Sequence, residues 1–488
     1  MVKNLSLIKY LIKEHFSVIG FILTYFILLA CKIIYFKTPF YNWDESIYVQ
    51  AGREMMRKHF FLAPLWQGQV WLDKPPLPSL LYGFLGTVIP IEPEITTRIL
   101  SLLISVIILL LAYIFYSRVI GNKNIALLSV VITAFIPAFL QRAQIVNVDI
   151  FLLLGWMGYV VFFNNFLLGL IFLTISVLSK SLLGFYPPLI FILFFSVRLY
   201  LKQISKDEYK KKIMSIILQM VIVSLWFVVM FVFYQNSFWK MHFVESHFKR
   251  VAASIESHFG KRTYYIDLLF NELGIFAYLS ILGGGLIVYD FIRNKKIDKF
   301  FMSLFFVPWF LFLNLTKTKI DWYIYPILFQ FAFLASYALI IFKKNRQLLL
   351  TLILIIIILY QNVEGNKLFN VRYSSVDENY KMAIYAKENC QKINYLVNSD
   401  TRKTYDTLNK MNLTITTTSW WGDNPRIVYY SNRPVNFIYM KDVFSRNMSQ
   451  IRDECFVAYK QDIDDTINSG NYKVTKKFND LLLLKLEK

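Results

Sequence analysis

Long apolar runs are the feature that most constrains how this chain folds. Runs such as Ile104–Tyr116, Phe151–Phe163 and Leu348–Tyr360 contain no charged residue. Apolar runs that approach ~20 residues are typical of membrane-spanning helices, because a helix satisfies its own backbone polar groups where no water is present. The runs are continuous, whereas the strands of a membrane barrel alternate in polarity. The sequence therefore predicts a polytopic all-α membrane protein.

We expect about eleven membrane spans, several of them shorter than the usual ~20 residues. The first apolar run has no small-residue cleavage site and is followed by further spans, so it predicts an uncleaved first span. Residues 1–363 would form the membrane domain, with long loops at 37–96 and 235–267. The predicted spans lie near residues 16–36, 97–117, 124–141, 149–163, 165–178, 184–199, 213–234, 267–291, 300–315, 322–342 and 347–362.

The composition changes after the last predicted span. Residues 364–488 are polar and contain two short strand-like runs, Arg426–Tyr430 and Val435–Tyr439, which predict a small α/β domain outside the membrane. Cys390 and Cys455 lie in this segment and would pair in an oxidising compartment. Two free thiols are an equally open alternative.

The formal net charge of +21 does not predict a nucleic-acid partner. The cations are concentrated at the N-terminus (Lys3, Lys9 and Lys13) and in alternate gaps between the runs, the pattern that orients a protein in the inner (plasma) membrane. Both long loops and the C-terminal segment then face the extracytoplasmic side. The short loops on that side hold isolated cations against the bias, which predicts a shared anionic ligand; these are Arg142, Lys180, Lys317 and Lys319.

Acids near the outer ends of the spans are candidates for catalysis. Asp44 and Glu45 follow the first span, where a carboxylate can act as a base toward a hydroxyl group. A solvated acid or a helix N-cap is the alternative. Asp149 opens an apolar run near Arg142, and ionisable groups at membrane depth are usually functional. A structural Arg–Asp pair explains that spacing equally well, and snorkelling explains Lys180 equally well.

Two loop segments complete the predicted site. Asp73-Lys74-Pro75-Pro76 sets an acid and a base before a stiff turn, because proline fixes φ. The loop 235–267 contains Arg250, His247 and His258, a combination that favours phosphate binding. No His or Cys spacing there indicates a tight zinc site. Together these residues predict an outward-facing cationic pocket suited to a phosphorylated lipid.

Three motifs in the first long loop resemble those of the GT-C membrane glycosyltransferases. They are Asp44-Glu45, Gly52-Arg53-Glu54-Met55 and Asp73-Lys74-Pro75-Pro76-Leu77. The similarity is to the bacterial lipid A aminoarabinose transferases and the protein O-mannosyltransferases, and it runs in order through residues 1–345. Asp73 stands where these relatives usually have Glu, and Ser181 follows Lys180 where many have Gly.

The resemblance implies transfer of a sugar from a polyprenyl-phosphate donor to an extracytoplasmic acceptor, with inversion at the anomeric carbon. The acceptor would be lipid A, a protein or a surface glycan. Asp44, with Glu45 beside it, would supply the catalytic carboxylate, and Asp149 would position groups near the sugar. Asp73, His247 and His258 would hold a divalent metal, as some relatives bind one. The donor phosphate would bind Lys74, Arg142, Lys180, Arg250, Lys317 and Lys319.

A lipid or small-molecule transporter is the main alternative. Transporters tend to have repeated halves and binding groups at mid-membrane. Here the ionisable residues cluster at one face and no repeat is visible, so we expect an enzyme.

Overall fold

The computed structural model describes residues 15–252, 258, 260–364, 375–397, 410, 424–451, 453–467 and 472–486. Lys3, Lys9, Lys13 and part of the predicted loop 235–267 lie outside these residues. A bundle of helices fills the first three quarters of the chain, and a five-stranded sheet with helices follows it.

Six helical stretches within the described residues are long and apolar enough to cross a membrane, or seven if a pair bent by 46° counts as one span. The bent pair is Ile297–Ser303 and Val307–Leu315. Three shorter apolar helices, Leu77–Val88, Lys123–Phe135 and Asp149–Phe162, pack among them. The count of eleven stays a prediction. The six stretches are Phe16–Tyr35, Pro93–Ile120, Phe166–Tyr200, Lys206–Ala252, Ile275–Asn294 and Asp321–Ile341.

Breaks in the helices have local causes. The span predicted at 124–141 stops at Phe135 because Ile136 is extended (φ −61°, ψ 128°), the conformation that a following proline favours. The span predicted at 267–291 is interrupted at Gly274, whose φ of +55° suits glycine. A single 3₁₀ turn, Ser181–Phe185, separates helices Phe166–Lys180 and Tyr186–Tyr200.

The first long loop is folded rather than open. It contains helix Asp44–Lys58, a hairpin of β1 (Leu65–Trp66) and β2 (Gln69–Val70), and helix Leu77–Val88. The two helices touch at Gly52 and Gly83, where a Cβ on either glycine would overlap the backbone of the other helix. This contact fixes the Asp44 helix against the Lys74-Pro75-Pro76 turn that precedes Leu77.

The remaining helices of the first 364 residues connect these elements. They are Pro137–Arg142, the long Lys206–Phe238, the π-helix Trp239–Phe248, Lys249–Ala252, Tyr264–Leu273, the 3₁₀ turn Asp321–Ile327, Leu328–Tyr337, the 3₁₀ turn Ala338–Ile341 and Lys344–Glu364. Most of the buried apolar side chains in this region form one continuous core.

The C-terminal sheet has the strand order β4-β3-β5-β7-β6. β3 pairs in parallel with β4 and β5, while β7 runs antiparallel to both of its neighbours. The strands are β3 Ile393–Leu396, β4 Val435–Ile438, β5 Cys455–Tyr459, β6 Tyr472–Phe478 and β7 Leu481–Leu486. The helices around the sheet are Glu378–Asn389, Pro425–Ser431, Lys441–Gln450 and Lys460–Ile467.

The two strand predictions in this segment had different outcomes. Val435–Tyr439 contains strand β4, but Arg426–Tyr430 is wrong as a strand, because it lies in helix Pro425–Ser431. The helix begins at a proline, which is favoured in the first helical turn. Cys390 and Cys455 form a disulfide, with their Cα atoms 5.8 Å apart. The domain boundary at 364 and the side of the membrane stay predictions.

The sheet docks on the Asp44 helix. Arg53 donates a hydrogen bond to the Tyr429 carbonyl oxygen (2.9 Å). The Tyr430 hydroxyl accepts from the Phe40 amide (2.8 Å) and donates to Glu94 (2.6 Å). Side chains from both parts share one apolar cluster. The C-terminal segment therefore lies at the same end of the bundle as the candidate catalytic acids.

Candidate active site

Asp44 and Glu45 are neighbours in sequence but lie in different environments. Glu45 is fully buried and pairs with the Arg98 guanidinium at 2.7 and 2.9 Å. It also accepts the backbone N–H groups of Tyr41 (2.8 Å) and Val146 (2.9 Å). Both carboxylate oxygens are therefore occupied. Glu45 ties the first loop to the chain segment that leads into Asp149.

Asp44 faces open space. Its side chain is 38% exposed, and its carboxylate lies 3.7 Å from the Arg142 guanidinium. Arg142 itself is almost fully buried and lies over the Trp322 ring. Its Nη1 makes no hydrogen bond with any described residue, although it is the atom that faces Asp44. Asp44 is therefore the exposed member of a pair whose other member is buried.

The Asp44 side chain is partly exposed, yet the surrounding protein lies close enough to its carboxyl group to shift the pKa. Burial raises the pKa of the Asp44 carboxyl, and the Arg142 guanidinium opposes this effect. The Asp149 carboxylate raises the pKa further, whereas Lys74 and Lys180 lower it. These charges act on Asp44 because the fold collects them around it. A raised pKa makes a carboxylate a stronger base.

A cavity of about 260 Å³ lies close to this pair. Asp44 and Arg142 do not line it, but its charged lining residues Lys74, Asp149 and Lys180 are near enough to act on the Asp44 carboxyl. Lys180 forms an ion pair with Asp149 and lies over the Tyr323 ring. The acids and bases of the lining are Asp73, Lys74, Asp149, Lys180, His247 and Arg250, and its apolar side chains include Leu152, Leu182, Leu183, Trp309, Phe312 and Leu313.

Side-chain hydrogen bonds and one strained residue hold the charged lining of the cavity in place. The Asn147 side chain donates to the carbonyl oxygens of Arg142 and Ile145, both at 2.8 Å, and it accepts from the Ile150 amide. These bonds shape the turn between Arg142 and Asp149. Ser181 has a φ of +56° and its hydroxyl contacts His242 at 2.6 Å. This strained residue ends the helix that carries Lys180, at a position where glycine would be unstrained.

The sequence predicted some residues of this site that the structure does not bring to the cavity. Lys317 is exposed and does not line it. Lys319 is buried, and its ammonium group donates to the Leu313 and Asn314 carbonyl oxygens (both 3.1 Å), so it caps helix Val307–Leu315. Arg250 does line the cavity and donates to the Tyr323 hydroxyl at 2.8 Å.

The residues suggested for a metal do not form a ligand set. Asp73 and His247 both line the cavity, but His258 does not. His258 instead accepts the Lys319 amide through its backbone oxygen at 3.0 Å. Within the described part of the chain, no group of three or more His, Cys, Asp or Glu side chains could hold a metal ion. The metal hypothesis therefore has no support from the geometry of these three residues.

Sequence reasoning missed Arg98, the partner of Glu45. A signal was available, because Arg98 lies near the start of the long apolar helix Pro93–Ile120. A charge buried there needs a partner. Sequence reasoning also gave no role to Tyr323 and Trp322, whose rings lie under Lys180 and Arg142.

The apolar helices and the comparisons together indicate the class: the chain resembles the GT-C membrane glycosyltransferases. The chain resembles the aminoarabinose transferases and the protein mannosyltransferases of that class. The model of the dolichyl-phosphate-mannose-protein mannosyltransferase family matches residues 15–245, a little under half of the chain.

Solved structures and curated sequences agree with this assignment. The crystal structure of ArnT from Cupriavidus metallidurans bound to undecaprenyl phosphate superposes with a TM-score of 0.70 over 97% of this chain and 98% of that one, at 12% identity. The crystal structure of the same ArnT in the apo state superposes with a TM-score of 0.71, also at 12% identity.

An uncharacterised protein of Aquifex aeolicus is 26% identical over 317 residues, which are 62% of this chain and 60% of that protein. The undecaprenyl phosphate-alpha-4-amino-4-deoxy-L-arabinose arabinosyl transferase of Photorhabdus laumondii is 26% identical over 135 residues, 26% of this chain and 24% of that enzyme. The matches thus span less than two thirds of these relatives.

Proposed function

We propose that this protein transfers a sugar from a polyprenyl-phosphate-linked donor to an acceptor at the extracytoplasmic face of the membrane. The observation that carries the proposal is the cavity close to Asp44, whose lining combines cations with apolar side chains. A sugar phosphate on an isoprenoid chain has the same two-part character. The resemblance to a protein whose structure contains undecaprenyl phosphate supports this choice of donor.

The proposed reaction is a single displacement. The acceptor hydroxyl oxygen forms a bond to the anomeric carbon while the bond from that carbon to the phosphate oxygen breaks, so the configuration inverts. The electron pair leaves with the polyprenyl phosphate. The acceptor proton moves to Asp44, whose raised pKa suits it to this role.

The cations stabilise the leaving group. Three of them line the cavity: Lys74, Lys180 and Arg250. In the proposed reaction they would meet the negative charge that grows on the departing phosphate. Asp149 holds Lys180, and Arg142 orients Asp44. Glu45 acts as a positioning residue because its oxygens are already bonded. Lys317 and Lys319 have no part in this scheme.

The test is donor consumption by purified protein in nanodiscs. A panel of polyprenyl-phosphate sugars is supplied with lipid A, peptide and glycan acceptors, and free polyprenyl phosphate is measured by mass spectrometry. We expect one donor to be consumed by the wild type and by Asp267→Asn, whose carboxylate is 45% exposed and pairs with Lys261 and Thr263. Asp44→Asn should lose this activity.

Equal turnover by Asp44→Asn would remove Asp44 from catalysis. If the folded protein turns over no donor but moves labelled lipid between the leaflets, the transporter hypothesis replaces the enzyme.

A further inference from the structure

A second and larger cavity lies at the opposite end of the helical bundle from Asp44. Its volume is about 720 Å³. Helix Asp149–Phe162 connects the two cavities: Asp149 lines the first, and Val160 and Val161 in the last turn line the second. A helix of this length is ~21 Å long. The second cavity is therefore separate from the candidate active site, and it faces the side predicted to be cytoplasmic.

Cations dominate its lining. Five basic residues face a single acid, Asp298. Asp298 pairs with Arg198 at 3.4 Å, and a neighbouring acid, Asp290, pairs with Lys299 at 2.8 Å. The five basic residues are Arg118, Arg198, Lys295, Lys296 and Lys299.

Three of these cations form no salt bridge with an acid of the described residues, although the Lys296 charge acts on Asp290. The Arg118 guanidinium contacts the Val161 carbonyl oxygen at 3.4 Å, and it forms no ion pair with a described acid. Lys295 and Lys296 likewise form no salt bridge within the described residues. Lys295 has a φ of +53° where helix Ile275–Asn294 ends, so the chain turns there and carries both lysines along the cavity rim.

The walls below the cations are apolar. Side chains from three helices contribute Phe115, Val119, Val160 and Met302, and Phe163 directly follows helix Asp149–Phe162. Val119, Phe163 and Met302 are only partly buried, so apolar surface is accessible beside the charges. A small inorganic anion needs no such surface. A lipid presents a phosphate group joined to acyl chains and uses both parts.

We propose that this cavity binds the phosphate headgroup of an anionic phospholipid from the cytoplasmic leaflet. Basic pockets between membrane helices on that side recognise such headgroups. The orientation rule accounts for cations at this end, but it does not require three cations without a salt bridge partner among the described residues to line one cavity. The proposal is independent of the transfer reaction at the other end.

The test compares two triple variants with equal loss of charge. Arg118→Gln/Lys295→Gln/Lys296→Gln removes the unpaired cations of the cavity. Lys343→Gln/Lys344→Gln/Arg346→Gln is the matched control. Those three residues do not line the cavity. They lie at the same end, because Asn122, just past helix Pro93–Ile120, donates to Gln347 at 2.9 Å.

Both variants are placed in nanodiscs of phosphatidylcholine with increasing phosphatidylglycerol, and retained lipid is counted by native mass spectrometry. We expect phosphatidylglycerol to bind the cavity variant on the order of a hundredfold more weakly, since each cation near the surface contributes roughly fivefold. The control should retain it. Equal retention, or equal loss, in the two variants would overturn the proposal.

Two further arms complete the test. Inorganic phosphate is titrated in phosphatidylcholine nanodiscs. If phosphate binds with the same dependence on the three cations while phosphatidylglycerol does not, the cavity is a site for a free anion and the lipid proposal fails. Lys296→Gln alone, which changes one exposed side chain, replaces the triple variant if thermal unfolding shows that the latter is misfolded. It should weaken lipid binding about fivefold.

Discussion

At the scale of residues, pairing distinguishes the two adjacent acids. Glu45 has its oxygens filled by Arg98 and two backbone amides, whereas Asp44 has one arginine at 3.7 Å and open space beside it. Two carboxylates of equal intrinsic chemistry are thus placed in different environments, which suits them to the different roles proposed above. The residue pattern predicted the acid pair, and only the family resemblance favoured Asp44, because the Arg98 partner of Glu45 is distant along the chain.

The raised pKa of Asp44 predicts the pH dependence of transfer. A base must be deprotonated, and a carboxyl with a raised pKa loses its proton at higher pH than the usual ~3.9 of aspartate. Activity should therefore fall as the pH decreases through the raised pKa of Asp44, which lies above the usual aspartate pKa. The measurement is kcat/KM for the donor against pH, which reports the free enzyme. If kcat/KM falls only at or below the pH of an ordinary aspartate pKa, Asp44 is not the base.

Lys180 and Lys317 provide a matched pair for donor binding. Both were predicted from sequence as phosphate ligands, but only Lys180 lines the cavity. Hydrogen bonds to charged groups contribute about 1.5–3 kcal/mol, so Lys180→Met should weaken donor binding ~10- to 100-fold. Lys317→Met should leave binding unchanged. The measurement is the donor Kd in nanodiscs, and equal effects of the two substitutions would sink the distinction.

At the scale of elements, each residue of the Gly52-Arg53-Glu54 motif has a structural task. Gly52 allows close contact with helix Leu77–Val88, and Arg53 holds the C-terminal segment at Tyr429. Glu54 accepts the backbone N–H groups of Gln67 and Gly68 at 3.0 and 2.8 Å, and so fixes the β1–β2 turn. The motif therefore organises the loop and does not face the cavity.

Gly52→Ala tests this contact. The new Cβ would overlap the Ser79 carbonyl oxygen, and overpacking costs about 1–3 kcal/mol. Gly284→Ala is the control, because nothing lies within 4 Å of its added Cβ and alanine favours a helix by about 0.5–1 kcal/mol. We expect a lower Tm in detergent for Gly52→Ala only. A Tm at or above that of the wild type would refute the tight contact.

The sequence predicted the positions of apolar helices better than their continuity. Each of the eleven predicted spans contains helix, but Pro137 and Gly274 interrupt two of them, and a bend between Ser303 and Val307 breaks a third. Helix Leu77–Val88 lies inside a segment predicted as a long loop, because an apolar helix of twelve residues is too short to mark a span. Lys319 shows the limit for sites: sequence shows a cation, but only the fold shows that it caps a helix.

At the scale of the whole molecule, the C-terminal sheet and the membrane bundle share the Asp44 helix. Helix Pro425–Ser431 contacts it through Tyr429, and Val435 at the start of β4 donates to the Gln67 side chain at 2.9 Å. This docking was beyond sequence reasoning, since the partners are more than 360 residues apart. The C-terminal segment thus supports the element that begins with the candidate base.

The Cys390–Cys455 disulfide should stabilise this segment. It closes a loop across a sequence separation of 65 residues, and the chain-entropy model gives about 4 kcal/mol for a loop of that size. Cys390→Ser/Cys455→Ser should lower the Tm of the purified protein, whereas Cys31→Ser should not, because Cys31 is a free, exposed thiol. An unchanged Tm in the double variant would show that the bond adds no stability.

The ion pair between Lys180 and Asp149 has a consequence for the energetics of binding. A phosphate that reaches Lys180 meets a cation that already has a fixed counterion, so its arrival is an exchange of partners rather than a neutralisation. Fewer dissolved ions are released by such an exchange than by binding to a bare cation. The part of the affinity that Lys180 contributes should therefore depend only weakly on ionic strength, and the released Asp149 carboxylate becomes an acceptor for the hydroxyl groups of the sugar.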